Sequence, residues 1–165
     1  PALEGYEFFT FANASSPVTW NSMEYSYTQY LSFLPRLFQG TSVNLSYTRT
    51  DTTSQPGVFV QGIIPNTVKG TVRWHYGRVD LSTSAIWQDD SGPTVNNVNR
   101  YQKANTKCDI SGSVKLTDRV RLYFAVRNRF QQSHRIMEKS VGNPDVLYRY
   151  ENYGTIWSFG LKGAF

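Results

Sequence analysis

Cysteine is almost absent from this chain, with one in 165 residues. A lone Cys108 cannot form an intrachain disulfide, which excludes the disulfide-rich secreted scaffolds. On the apolar side of its segment it reads as a small strand residue. Histidine occurs twice, at His75 and His134, with no Cys or acid at metal-ligand spacing, so no metal centre is expected. No apolar run reaches the ~18 residues that a transmembrane helix needs. No window carries a sustained i, i+3, i+4, i+7 stripe, which excludes a long amphipathic helix. No Ser/His/Asp order carries a nucleophile elbow. The sequence therefore offers no catalytic residue and no cofactor site. The pair Asp89-Asp90 lacks the rest of a calcium-loop pattern and reads as a solvated turn.

Aromatic residues are plentiful at 15%, and the formal net charge is +5. Thr, Ser, Tyr, Phe and Val favour strands. The dominant signal is alternation. In residues 119–130 one parity holds Val120, Leu122, Phe124 and Val126, and the other holds Arg121, Tyr123, Ala125, Arg127 and Arg129. Residues 107–116 set Cys108, Ile110 and Val114 against Lys107, Asp109 and Lys115. Residues 79–88 set Leu81, Ala85 and Trp87 against Asp80, Ser82 and Gln88. Segments 68–76, 41–49 and 23–31 behave alike, the last least cleanly. The final stretch, 153–165, carries Tyr153, Trp157, Phe159, Leu161 and Phe165 on one parity. Side chains alternate across a strand, so each segment has one greasy and one wet face. The mean hydropathy of −0.45 is compatible with a membrane barrel, because alternating lipid-facing and lumen-facing residues average to a polar value.

Connections alternate in length. Short turns are expected at residues 34–40, 76–78 and 116–119. Long polar loops are expected at 50–62, 89–99 and 131–146. Short turns on one side and long loops on the other are a barrel pattern. Trp74, Tyr76 and Trp87 share the apolar parity, as do Trp157, Phe159 and Phe165, and aromatics gather at both membrane interfaces. Pro17 interrupts the β-prone stretch 6–13, which is either a separate strand or a bulged continuation.

Several stretches resemble the C-terminal part of a TonB-dependent outer-membrane receptor. They are Phe9-Thr10-Phe11-Ala12-Asn13 with Trp20 to Tyr27; Leu34-Pro35 with Gly40, leading into Val43 to Asp51; Ile64-Pro65-Asn66 to Gly70; and Leu116-Thr117-Asp118 to Asn128. The strand closing on Phe165 completes the set. Ser22 stands where the family usually has Gly, and Arg129-Phe130-Gln131 departs from its usual element. The resemblance covers nearly the whole chain, 1–165, as one C-terminal portion of a barrel.

That resemblance implies an all-β, antiparallel up-and-down meander of about seven or eight strands, an open segment of a plugged barrel of about 22 strands. The chain starts at Pro1 without a leader, and a fragment is the expectation. The implied location is the cell outer membrane, as a multi-pass β-barrel. The implied partners are outer-membrane lipid, the rest of the barrel and its plug, TonB through a segment absent here, and the barrel-assembly machinery. That machinery would read Tyr153, Phe159, Leu161 and Phe165. The implied function is energised import of a scarce ligand of the siderophore, cobalamin or glycan class, and not catalysis. Arg127, Arg129 and His134, near the long-loop end, are the ligand-binding candidates; the alternative is that the basic lumen-facing residues pair with acids on the plug or the missing strands and that His134 is an ordinary loop residue. Basic residues and aromatics lie on opposite faces, whereas a nucleic-acid platform needs both on one, so nucleic acid is not an expected partner. The rival classes are a passive outer-membrane channel or adhesin, and a soluble secreted β-sandwich.

Overall fold

The computed structural model describes residues 17–53, 60–94 and 97–163. Among these, every regular element is a strand. They are β1 Thr19–Tyr30, β2 Thr41–Thr53, β3 Asn66–Tyr76, β4 Val79–Gln88, β5 Pro93–Thr94, β6 Asn97–Gln102, β7 Asn105–Lys115, β8 Val120–Arg127, β9 His134–Glu138, β10 Val146–Glu151 and β11 Ile156–Gly163. The seven longer ones form a meander in the order β1-β2-β3-β4-β7-β8-β11. Every neighbour pair in it is antiparallel. The sheet is open, with β1 and β11 as its edges.

Register fixes the faces. Directly opposed residues of an antiparallel pair point to the same side. One row runs Thr41–Trp74–Leu81–Gly112–Phe124–Phe159 across six strands. A second runs Gln29–Val43–Val72–Thr83–Ile110–Val126–Trp157 across all seven. The other face carries the rows His75–Asp80–Ser113–Tyr123–Gly160 and Arg73–Ser82–Ser111–Ala125–Ser158. The alternation read in separate segments is thus continuous from strand to strand. A slip of one residue anywhere would break it.

No described residue covers the apolar face. Phe159 is 70% exposed, Leu161 67%, Trp157 60% and Tyr25 58%, and only Cys108 and Val126 are buried apolar residues among those described. Its side chains pack on one another within the sheet. Tyr25 stacks on Tyr47, Trp74 on Tyr76 and Trp157 on Phe159, with centroids 6.1–6.4 Å apart. Gly112 sits beneath its neighbours. A Cβ there would lie 2.5 Å from Phe124 and 2.6 Å from Leu81, so glycine is what lets those side chains meet.

The short connections lie at one end of the sheet. Gly77-Arg78 joins Tyr76 to Val79, with Gly77 at φ +59°. Glycine with positive φ at the first central position suits a two-residue II′ hairpin. The turn between β1 and β2 is tied down by Trp74, whose indole N–H donates to the Leu37 carbonyl at 2.7 Å.

The long connections are not plain loops. Parts of 89–104 and 128–155 form a second antiparallel sheet, in the order β10-β9-β6-β5. The two excursions meet through β6 and β9, where Arg100 opposes Glu138 and Tyr101 opposes Met137. Arg100 Nε donates to Glu138 at 2.8 Å, and its guanidinium lies 3.4 Å from the Tyr148 ring centroid. The second sheet leaves the apolar side chains of the first exposed, so the two sheets do not form a sandwich.

Several expected boundaries move. Residues 50–53, read as loop, continue β2. The segment read as strand to residue 130 stops at Arg127, because Asn128 takes a left-handed φ of +53° that ends extended pairing. The last strand starts at Ile156 and not at Tyr153, after Gly154 at φ +65°. The stretch 6–13 and Phe165 lie outside the described residues.

Candidate ligand site

A cavity of about 500 Å³ lies at the long-loop end, bounded by the ends of β7, β8 and β11 and by β9, β10 and the segment around Asn128. Its size falls within the ~300–1,000 Å³ of small-molecule sites. Lys107 and Arg127 enter it from the polar face, where Arg127 opposes Ile156. His134 comes from the start of β9, and Glu151 and Tyr153 from the end of β10 and beyond. Asn105, at the start of β7, closes the wall.

The acids in the cavity are already engaged. Asp109 accepts the Asn128 backbone N–H at 2.9 Å. Glu151 accepts the Tyr153 hydroxyl at 2.9 Å and pairs with Arg149. The Tyr153 hydrogen bond, helped by Arg149 and His134, holds the Glu151 carboxyl below the usual range against the opposing effect of burial. The cations are not engaged: no ion pair or hydrogen bond joins the Lys107 or Arg127 side chain to another described residue. Two further polar atoms lack partners. Asn105 is 4% exposed with its Oδ1 unbonded, and His134 Nδ1, 3.7 Å from Glu151, makes no hydrogen bond. Buried polar atoms are nearly always bonded, so unbonded ones in a cavity wall mark a place with a partner to gain.

Asn128 shapes this site. Its left-handed backbone turns the chain away from β8, and its side chain holds the turn. Nδ2 donates to the carbonyls of Gly154 at 2.9 Å and Gln132 at 3.3 Å, while Oδ1 accepts from the Gln132 N–H at 3.0 Å.

Of the residues singled out for ligand contact, Arg127 and His134 meet in this cavity, and Arg129 does not line it. Arg129 lies past the end of β8, with its backbone N–H donating to the Cys108 carbonyl at 2.8 Å, so strand parity no longer sets its direction. Tyr153, expected on the last strand, lines the cavity instead. Trp74, Tyr76, Trp87, Trp157, Phe159 and Leu161 all fall on the apolar face by register. Trp74 and Tyr76 sit at the short-turn end of β3, and Trp87 at the far end of β4. Asn105 escaped the sequence reading, since a single amide at a strand start carries no signal of burial.

Asp89 and Asp90 serve as hydrogen-bond acceptors within the fold. Asn66 donates to Asp89 at 2.8 Å, and that bond, with the Asp90 N–H, lowers the Asp89 pKa. Lys103 and the Ala104 N–H both donate to Asp90. Another hollow of about 500 Å³, at the short-turn end, is bounded in part by Arg73, His75, Asp80 and Ser113. There Asp80 is 2.7 Å from His75 Nδ1 and 3.4 Å from Arg121, so its polar groups answer one another.

No family model, curated protein or solved structure matches the chain.

Proposed function

We propose that this chain is a wall segment of an outer-membrane β-barrel of the TonB-dependent receptor kind, taking part in energised import of a scarce ligand. One observation carries the reading: a single apolar face, continuous by register over seven strands and uncovered by any other part of the described protein. Water penalises such a surface by roughly 25 cal/mol per Å², and a lipid bilayer removes that penalty. Patches of this extent mark a membrane or protein contact. The ordering of short turns and long excursions at opposite ends fits outer-membrane barrels. The receptor class rests on the sequence resemblance, and import rests on that class.

A soluble sandwich accounts less well for these features, since its apolar face would pack on a second sheet. A passive channel or adhesin shares the wall and differs in energy coupling. Fractionation of cells making the protein tests the membrane reading. The expected result is recovery in the outer membrane, extracted only by detergent. Recovery as a folded soluble protein would overturn it. Ligand uptake that stops when the proton gradient is collapsed supports the receptor class, and uptake indifferent to the gradient favours a passive channel.

A further inference from the structure

The geometry points to the long-loop cavity as a binding site for an anionic sugar, a polyhydroxylated molecule carrying a carboxylate or phosphate. Charge gives the first half of the specificity. Four charged side chains border the cavity besides His134. Arg149 offsets Glu151, and Asp109, whose bond from the Asn128 N–H comes from a neutral group, offsets one of Lys107 and Arg127. One positive charge is left over, and what the site can still neutralise is therefore an anion. The planar guanidinium of Arg127 suits either a carboxylate or a phosphate, bound through two oxygens.

The unbonded Asn105 Oδ1 gives the second half. It accepts hydrogen bonds and cannot bind an anion's oxygen, so it calls for a donor such as a hydroxyl. An inorganic anion alone would leave it unanswered. A sugar bearing an acid group answers the remaining positive charge and this acceptor together. Ile156 and Tyr153 offer apolar surface for its ring. The binding chemistry stands on the cavity alone; which side of a membrane the cavity faces rests on the proposed function.

The test uses the full protein in detergent micelles at low salt, with titration calorimetry of three probes: D-glucuronate, glucose 6-phosphate and glucose. Saturable binding of at least one acidic sugar, about tenfold or more tighter than glucose, is expected, and which acid binds tighter identifies the charged group. Arg127→Gln should weaken that binding about tenfold, and the loss should shrink at high salt. Asn105→Leu should weaken it while leaving thermal stability equal or higher, because it removes an unbonded oxygen; a purely structural asparagine would instead lose stability. Arg119→Gln, at the opposite end of the sheet, should bind as the parent does. Since Arg127 is exposed, its variant reports even if Asn105→Leu misfolds. Absence of binding by the folded protein, equal binding of glucose, or unchanged affinity in Arg127→Gln would overturn the proposal. Binding by a protein that fails to reach the outer membrane would leave the site intact and remove the import reading.

Discussion

The Asn128 side-chain amide donates to the Gly154 carbonyl at 2.9 Å, joining the residue just after β8 to the turn just before β11. Asn128 is also one of two described non-glycine residues with positive φ, at +53°. Asparagine tolerates that region better than most side chains, and it supplies the bonds. Asn128→Gly should keep the backbone and lose only the bonds. Asn128→Ala should lose both, at about 1–3 kcal/mol. Equilibrium unfolding in detergent should rank the parent above Gly and Gly above Ala, with faster hydrogen exchange at Gln132. Equal stability of all three proteins would deny the staple.

The two faces should respond oppositely to charge. Leu122 lies on the uncovered apolar face and Arg121 on the polar one. If the apolar face meets lipid, Leu122→Arg should cost roughly 2–4 kcal/mol near the bilayer midplane. Arg121→Leu should cost under about 1 kcal/mol, since its ion pair with Asp80 is solvent-exposed and long at 3.4 Å. Refolding titrations into lipid vesicles measure both. Equal costs would count against a lipid-facing sheet.

Gly112 and Gly77 should behave differently on substitution by alanine. At Gly112 the new methyl meets Phe124 and Leu81, and overpacking of this kind costs about 1–3 kcal/mol. Phe124→Leu in the same chain should recover part of that. Gly77 has open space around it and positive φ, so Gly77→Ala should cost only the strain of that backbone, about 1 kcal/mol. Melting in detergent, with the double variant included, separates crowding from strain.

Tyr101 should be among the last tyrosines to ionise. Its hydroxyl donates to Asp145 at 2.6 Å, and that bond, with burial and the nearby carboxylates, pushes its pKa up to about 12. A pKa raised by folding stabilises the fold fully below the ordinary tyrosine value near 10, and the contribution fades as pH rises through about 12. Ultraviolet titration should show a late tyrosinate phase that Tyr101→Phe diminishes. If the variant titrates as the parent does, the Tyr101–Asp145 bond is not made in solution.

Alternation made the large sheet legible in the sequence. Every strand of the main sheet had its apolar parity in view, and β4 was bounded at the residues where it begins and ends. Boundaries were lost where one residue's backbone decides them, as at Asn128 and Gly154. The second sheet was hidden for another reason. Pairing β6 with β9 joins stretches more than thirty residues apart through Arg100, Glu138, Tyr148 and Asp145. Polar residues in short runs read as loop, and no local pattern marks a partner that distant. The cavity was half visible: Arg127 and His134 could be named, while Asn105 could not.

The parity of the strand count limits what can stand beside this sheet. Seven antiparallel strands in sequence leave β1 and β11 pointing the same way. Bending the sheet round to join its own edges would create a parallel seam. Copies of the described sheet arranged side by side around an axis, all with the same end up, would meet at parallel seams too, however many there were. Turning one copy over would make the seam antiparallel, but would send its long excursions to the opposite end of the wall. A wholly antiparallel wall can therefore arise only if an odd number of strands other than these seven fills the gap between β11 and β1.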